Sequence, residues 1–228
     1  MTKLSTLIEQ NKQKFARHEF LTFLTDKTIP LSQRLSFLPN IAHFVMSFSD
    51  INKFILPFQN PSNDLEHAVN QHAQEDANHW PWFLNDLQST GLNKQGSLTD
   101  NLEFLWSENI KNSRLLTYQL IRLLTDKPAK IRLVVIEIME ATGNVTFDTL
   151  SQITKDSAFP LEFCGNIHFS HETGHSIGSE EELIDTIEYS NQEMNDATNA
   201  ISDGFQAFER FFDELMMNMK ARSSEGQV

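Results

Sequence analysis

Apolar positions recur at spacings of three and four along nearly the whole chain, and no stretch alternates with a period of two. That pattern predicts helices from end to end. A first helix over about Lys3 to Asp26 puts Leu4, Leu7, Ile8, Phe15, Leu21 and Leu24 roughly on one side. A second runs from about Leu31 to Leu56, bent at Pro39. The stretch PFQNPSND reads as a loop, with Ser62, Asn63 or Asp64 able to cap the next helix. The third helix spans about Asn63 to Thr90 and stops at Gly91, with a kink at Pro81, which lacks a backbone donor. A fourth runs from Ser97 or Thr99 to about Asp126. The fifth starts at Pro128, a favoured first-turn residue, and reaches about Lys155. The sixth covers about Leu161 to Ile177. After a break at Gly178-Ser179, a long last segment reaches about Lys220, with an interruption expected near Asp203-Gly204. In it, Phe205, Phe208, Phe212, Leu215 and Met219 form one apolar stripe, widened by Phe211 and Met216. The expectation is one all-α domain over residues 1–222, a bundle of seven or eight helices, with a disordered tail at 223–228.

Composition narrows the function classes. With 39% hydrophobic and 21% charged residues the 228-residue chain is globular in character. Only 8 Gly and 7 Pro argue against a β-sandwich or barrel with many tight turns. A formal net charge of −13 disfavours nucleic acid and anionic membrane surfaces as partners. No run approaches the length of a membrane span, and the opening MTKLSTLIEQNKQKF lacks a signal-peptide core. A single Cys excludes a disulfide framework and a paired-cysteine zinc site, and suits a reducing compartment. A cytoplasmic location is expected.

The histidines are not scattered. The third helix holds HAQEDANH, His72 to His79, and the sixth holds HFSHETGH, His168 to His175. Aligned on their first histidine, both read His, a carboxylate four residues on, and a second His seven on: His72, Asp76, His79 and His168, Glu172, His175. Those offsets place the three side chains on one helix face. The pairs Asp76/His79 and Glu172/His175 have the carboxylate-x-x-His spacing used by dinuclear iron or manganese sites in helical bundles. Mixed imidazole and carboxylate donors suit those ions. His72, Asp76 and His79 fall on the stripe of Leu65, Val69, Phe83 and Leu87; His168, Glu172 and His175 share one with Leu161 and Cys164. Buried carboxylates need a partner or a metal, whereas two ordinary wet faces would need neither. Glu75 and His171 sit at the stripe edges, and Glu75 competes with His72 and Asp76 as a ligand. From the fifth helix Glu140, set among Leu133, Ile136, Gly143 and Phe147, is the chosen further ligand; a structural ion pair is its alternative. Glu137, beside Ala141 and Asn144, reads as a solvent or salt-bridge residue. His43 is a weaker echo on a polar face, and His67 reads as a surface residue.

These residues resemble the haem-oxygenase-like superfamily, which includes the TenA proteins, the CADD-like proteins and the iron-containing redox enzymes. RHEFLTFLTDKTIPLSQRLSFLPNIAHFV looks like the opening two helices of that fold. HAQEDANHWPWFLNDLQSTG looks like its ligand-bearing helix, and His168, Glu172 and His175 match its His-x3-carboxylate-x2-His motif. The resemblance spans about two thirds of the chain. It implies a haem-oxygenase-like bundle with two Fe ions, or Mn in their place, held by a set drawn from His72, Glu75, Asp76, His79, Glu140, His168, Glu172 and His175. Dinuclear-iron members often carry Glu where this chain has His72. The implied function is a non-haem dimetal oxidase or oxygenase acting on a small organic metabolite with dioxygen. The alternatives are a TenA-like hydrolase of thiamine-related pyrimidines, for which Cys164 would be the only thiol, and a non-catalytic metal- or ligand-binding protein. Haem is disfavoured: His18 would be its ligand, but only Gly143 stands where a glycine pair allows close approach. The Phe/Met-rich last helix is a candidate homodimer contact.

Overall fold

The expected first helix breaks where its pattern runs on. α1 (Leu4–Phe15) and α2 (Glu19–Thr25) are separate. The amides of Arg17 and His18 donate to Lys14 and Phe15, tightening the last turn. His18 then caps α2, its Nδ1 accepting the Phe20 N–H at 3.1 Å. In this computed structural model the described residues are 3–93, 96–157, 160–174 and 180–225, with the side chains of 171–174, 180–182 and 223–225 outside the description.

The second rod is a composite. α3 (Leu31–Arg34) passes into a 3-10 stretch, Leu35–Ile41, that contains Pro39. α4 (Ala42–Asp50) follows, then a π turn over Ile51–Ile55. Pro81 breaks the third rod rather than kinking it, giving α5 (Asp64–Asp76) and α6 (Trp80–Ser89). Pro81 cannot donate to the Ala77 carbonyl one turn back. Ser49 Oγ on α4 donates to that carbonyl instead, at 2.6 Å. The fourth rod divides at Ser107 into α7 (Leu98–Trp106) and α8 (Lys111–Leu124), joined by a short 3-10 turn. Arg114 Nη1 holds the break by donating to the carbonyls of Leu105 at 2.7 Å and Ser107 at 3.1 Å.

α9 (Ala129–Thr154) is unbroken and central; it packs on α1, α2, α5, α8, α10, α11 and α12. α10 (Asn166–Gly174) begins later than the sequence pattern suggested. α11 (Glu180–Thr186) is tied to α1 by Ser5 Oγ, which donates to Asp185 at 2.6 Å. α12 (Asn191–Glu225) runs straight through Asp203-Gly204, correcting the expected interruption. A Cβ at Gly204 would stand 3.0 Å from Ile138 Cγ2, so glycine there lets α12 close on α9. α12 also continues past the start of the expected tail; residues 226–228 lie outside the described residues. Counting the broken rods as one each, the described residues form eight rods and contain no strand. None of their helices is long and apolar enough to cross a membrane.

The apolar stripe of α12 is fully used inside the bundle: Phe205, Phe208, Phe211, Phe212, Leu215, Met216 and Met219 are all buried. Each such side chain contributes roughly 1.5–3 kcal/mol on burial. That stripe is therefore spent on the packing of the bundle itself. Four of the exposed large apolar side chains, Leu98, Leu102, Phe104 and Trp106, gather on α7, while Met217 on α12 and Phe54 are also exposed.

Candidate metal centre

α5 ends and α9 passes its centre at the same place. His72 and Asp76, one turn apart on α5, are each only 3% exposed, with His72 Nε2 3.3 Å from Asp76 Oδ2. Glu140 on α9, with its side chain 20% exposed, brings Oε1 to 3.7 Å from the same nitrogen. One donor atom from each of the three lies within 4.8 Å of the others. A long, unbroken α9 and the apolar face of α5 place this trio.

His79 stands past the break, as the residue preceding α6. Its Nδ1 lies 3.1 Å from His168 Nε2, so the two sequence combs meet. His168 Nδ1 is 3.0 Å from the Phe163 carbonyl, which can only accept, so that nitrogen carries the proton. In the neutral ring Nε2 then presents its lone pair, and His79 Nδ1–H donates to it. Trp82 stacks on His79, with ring centroids 4.8 Å apart. Phe147 and Phe163 flank His168 at 3.8 and 4.8 Å.

The late start of α10 also explains the position of His168. Asp86, buried on α6, accepts the N–H of Glu162 at 2.7 Å and of Cys164 at 2.8 Å. Those bonds draw residues 161–165 out of the helix expected there. Gly165 completes the turn, since a Cβ would collide with the Leu161 carbonyl oxygen. Burial raises the Asp86 carboxyl above its ordinary range, although the N–H groups it accepts pull the other way. Burial, followed by the neighbouring Asp86, pushes the Cys164 thiol well up.

The other sequence candidates divide. Glu75 accepts from Gln71 Nε2 at 3.2 Å on the outer edge of α5 and takes no part in the cluster. Glu137 is 4% exposed, which corrects the reading of it as a solvent residue: α9 is packed on both faces at that level. The apolar residues on both faces of the fifth helix were the signal for this. His43 turns away to Ser47, Trp106 and Tyr118, and burial lowers its pKa. His67 is exposed, as expected. The side chains of Glu172 and His171, and all of His175, lie outside the described residues. Sequence reasoning missed Asp86 as the residue that sets the α10 entrance; an aspartate in the last turns of an apolar helix is its only trace.

Asp76, His79, Glu140 and His168 all face one chamber of about 110 Å³, whose remaining wall is dominated by phenylalanine. Neither His18 nor Cys164 belongs to that wall. No family model and no curated protein matches the chain. A crystal structure from Shewanella denitrificans OS217, described as a domain of unknown function with a heme oxygenase-like fold, superimposes with a TM-score of 0.71. The match covers 98% of this chain and 96% of that one at 12% identity. The fold is haem-oxygenase-like. Within this haem-oxygenase-like bundle, α5, α6, α9 and α10 bring the described imidazoles and carboxylates together. α2, α4 and α12 supply most of the aromatic wall opposite.

Proposed function

We propose that the protein is a non-haem dimetal oxidase or oxygenase, using two Fe ions or a mixture with Mn, that acts on a small organic molecule and dioxygen. The observation that carries this reading is the trio of His72, Asp76 and Glu140, three donor atoms within 4.8 Å contributed by two facing helices. The donor set fits: imidazole and carboxylate together suit Fe(II) and Mn(II), and facing helices of a bundle are the usual platform. His72, Asp76 and Glu140 would hold one ion. His79 and His168 would serve the second, with Glu172 and His175 as the remaining candidates. When bound, the metals would supply the redox chemistry toward dioxygen and Lewis acidity toward the substrate.

The chain's own residues have distinct tasks. The Phe163 carbonyl holds the proton on His168 Nδ1, so Nε2, which accepts from His79, is the atom that would take a metal. Asp86 holds the turn that carries that carbonyl. The phenylalanine wall keeps bulk water from the cluster, which strengthens every charge interaction there. Two other readings fit less well. Cys164 has a raised thiol pKa and stands outside the chamber, a poor position for a thiamine-cleaving nucleophile. His18 spends Nδ1 on the Phe20 amide and Nε2 on Asp213 at 3.2 Å, rather than on a haem in the chamber.

Metal analysis of protein expressed with added iron tests the reading. About two equivalents are expected in the wild type, with a loss on His72→Ala and on His168→Ala while the helical fold persists. Wild-type protein that stays without iron or manganese under loading would end the proposal.

A further inference from the structure

The chamber's wall has a chemical bias beyond holding ligands. It contains nine phenylalanines and no lysine, arginine or tyrosine. Its titratable side chains are Asp76, His79, Glu140 and His168. Its hydroxyls have their protons committed to backbone. Ser49 donates to Ala77 at 2.6 Å, Thr142 to Ile138 at 2.9 Å, and Thr146 to Thr142 at 2.7 Å. The side-chain donors left on the wall are the ring N–H groups of His79 and His168, already engaged with His168 Nε2 and the Phe163 carbonyl, and the indole N–H of Trp80. An anion would find no cationic side chain away from the two histidines, and a polar guest would lose hydration with few replacement bonds. The size is also restrictive. The volume is about 110 Å³, and an apolar cavity of roughly 150 Å³ lined by similar residues takes up benzene.

We propose that this chamber binds a neutral, apolar molecule with a body of about one six-membered ring, or an aliphatic of similar bulk, presented to the His79/His168/Glu140 wall. That this wall is the reacting end rests on the metal reading above; the selection of a neutral apolar body does not. Ammonium groups are the main competitor, because phenylalanine faces attract cations and two carboxylates stand nearby. The phenylalanine faces alone give only a weak attraction, while a charged head would have to be dehydrated among them.

The test uses three probes of one shape: toluene, benzoate and benzylammonium, titrated into the metal-free full-length chain at neutral pH and followed by thermal shift and by aromatic-methyl NMR. Toluene should bind, with both charged probes at least roughly tenfold weaker. Val45→Phe and Leu150→Phe, which fill the chamber from α4 and α9, should each weaken toluene at least about tenfold and keep the iron content of the wild type. Glu140→Gln should do the reverse, losing iron and retaining toluene. Benzoate or benzylammonium binding as tightly as toluene, or no toluene binding at all, overturns the inference. The wild-type probe series decides alone if both filled variants fail to fold. A protein that binds toluene but never iron would end the metal reading and leave this one standing; iron without toluene would do the opposite.

Discussion

Asp76 and Glu140 of the trio on α5 and α9 line the same chamber as the histidine pair at α6 and α10, but trio and pair are positioned by different means. His72, Asp76 and Glu140 sit within continuous helices whose apolar faces fix them. His79 and His168 each follow a place where the helix is interrupted, and each interruption is held by a buried polar side chain from another element. Ser49 holds the first through the Ala77 carbonyl, and Asp86 holds the second through the amides of Glu162 and Cys164. The trio should therefore tolerate local damage that the pair does not.

The largest expected effect is on the trio's own chemistry. Glu140→Ala should weaken iron by roughly a hundredfold or more, since even outer residues of such sites cost about ten- to a hundredfold. A chelator-competition titration measures it. Unchanged affinity would show that the three donors do not act together.

Asp86→Ala comes next and strikes the pair. It leaves two buried amides without their charged acceptor, for a loss of about 3 kcal/mol in denaturant unfolding. The loss of the desolvation cost that raises the Asp86 pKa offsets part of this. The pH dependence carries a second signature. Because the folded-state pKa is raised, the native protein binds that proton more tightly than the unfolded chain does. Wild-type stability should therefore fall as pH rises from the unfolded pKa through the folded one, and the variant should lack that slope. His168 imidazole resonances should broaden or shift in the variant, while iron affinity at the trio changes less than in Glu140→Ala. Intact His168 signals would sink the positioning role.

Ser49→Ala is milder. The Ala77 carbonyl loses its donor, at about 1–2 kcal/mol by thermal or denaturant unfolding. The His79 ring should respond and the His72 ring should not.

The same division explains how far the sequence could be read. Rods set by periodicity were visible in it: the helical class, the α12 stripe, the alignment of His72 with Asp76, and Glu140 on the second apolar face of α9. Breaks set by distant partners were not. Nothing local says that Ser49 will take a carbonyl 28 residues away, or that Asp86 will reach across 78 residues to shorten α10. For Pro81 the sequence identified the missing donor, but the extent of the break depends on the partner its carbonyl found. The solvent alternative for Glu137 failed because its immediate neighbours are small or polar, while its burial comes from helices packed over it. The fate of α12 against α7 has the same origin: both carry apolar residues, and only packing decides that one is covered and the other exposed.

The smallest expected effect tests the trio's insensitivity to surface ties. Near the start of α9, Lys130 Nζ lies 2.9 Å from Glu193 Oε1 at the start of α12. The Ser190 amide also donates to Glu193, at 2.8 Å. These contacts, the Ser190 amide first and then Lys130, lower the Glu193 pKa to about 2. A depressed carboxyl pKa means that the folded state favours the ionised form. Its contribution is fully present above the unfolded value near 4.5 and is lost as pH falls toward about 2. Glu193→Gln should flatten the stability curve across that acid window, matching the wild type at the acid end and falling below it at neutral pH, by a small amount because a pair open to solvent is screened. Urea unfolding at several pH values reads the slope. Iron affinity should match the wild type, because Glu140 is held by the buried length of α9 and not by the tie at its end. A marked loss of iron in this variant would mean that the trio is as locally dependent as the pair, and the contrast between them would fail.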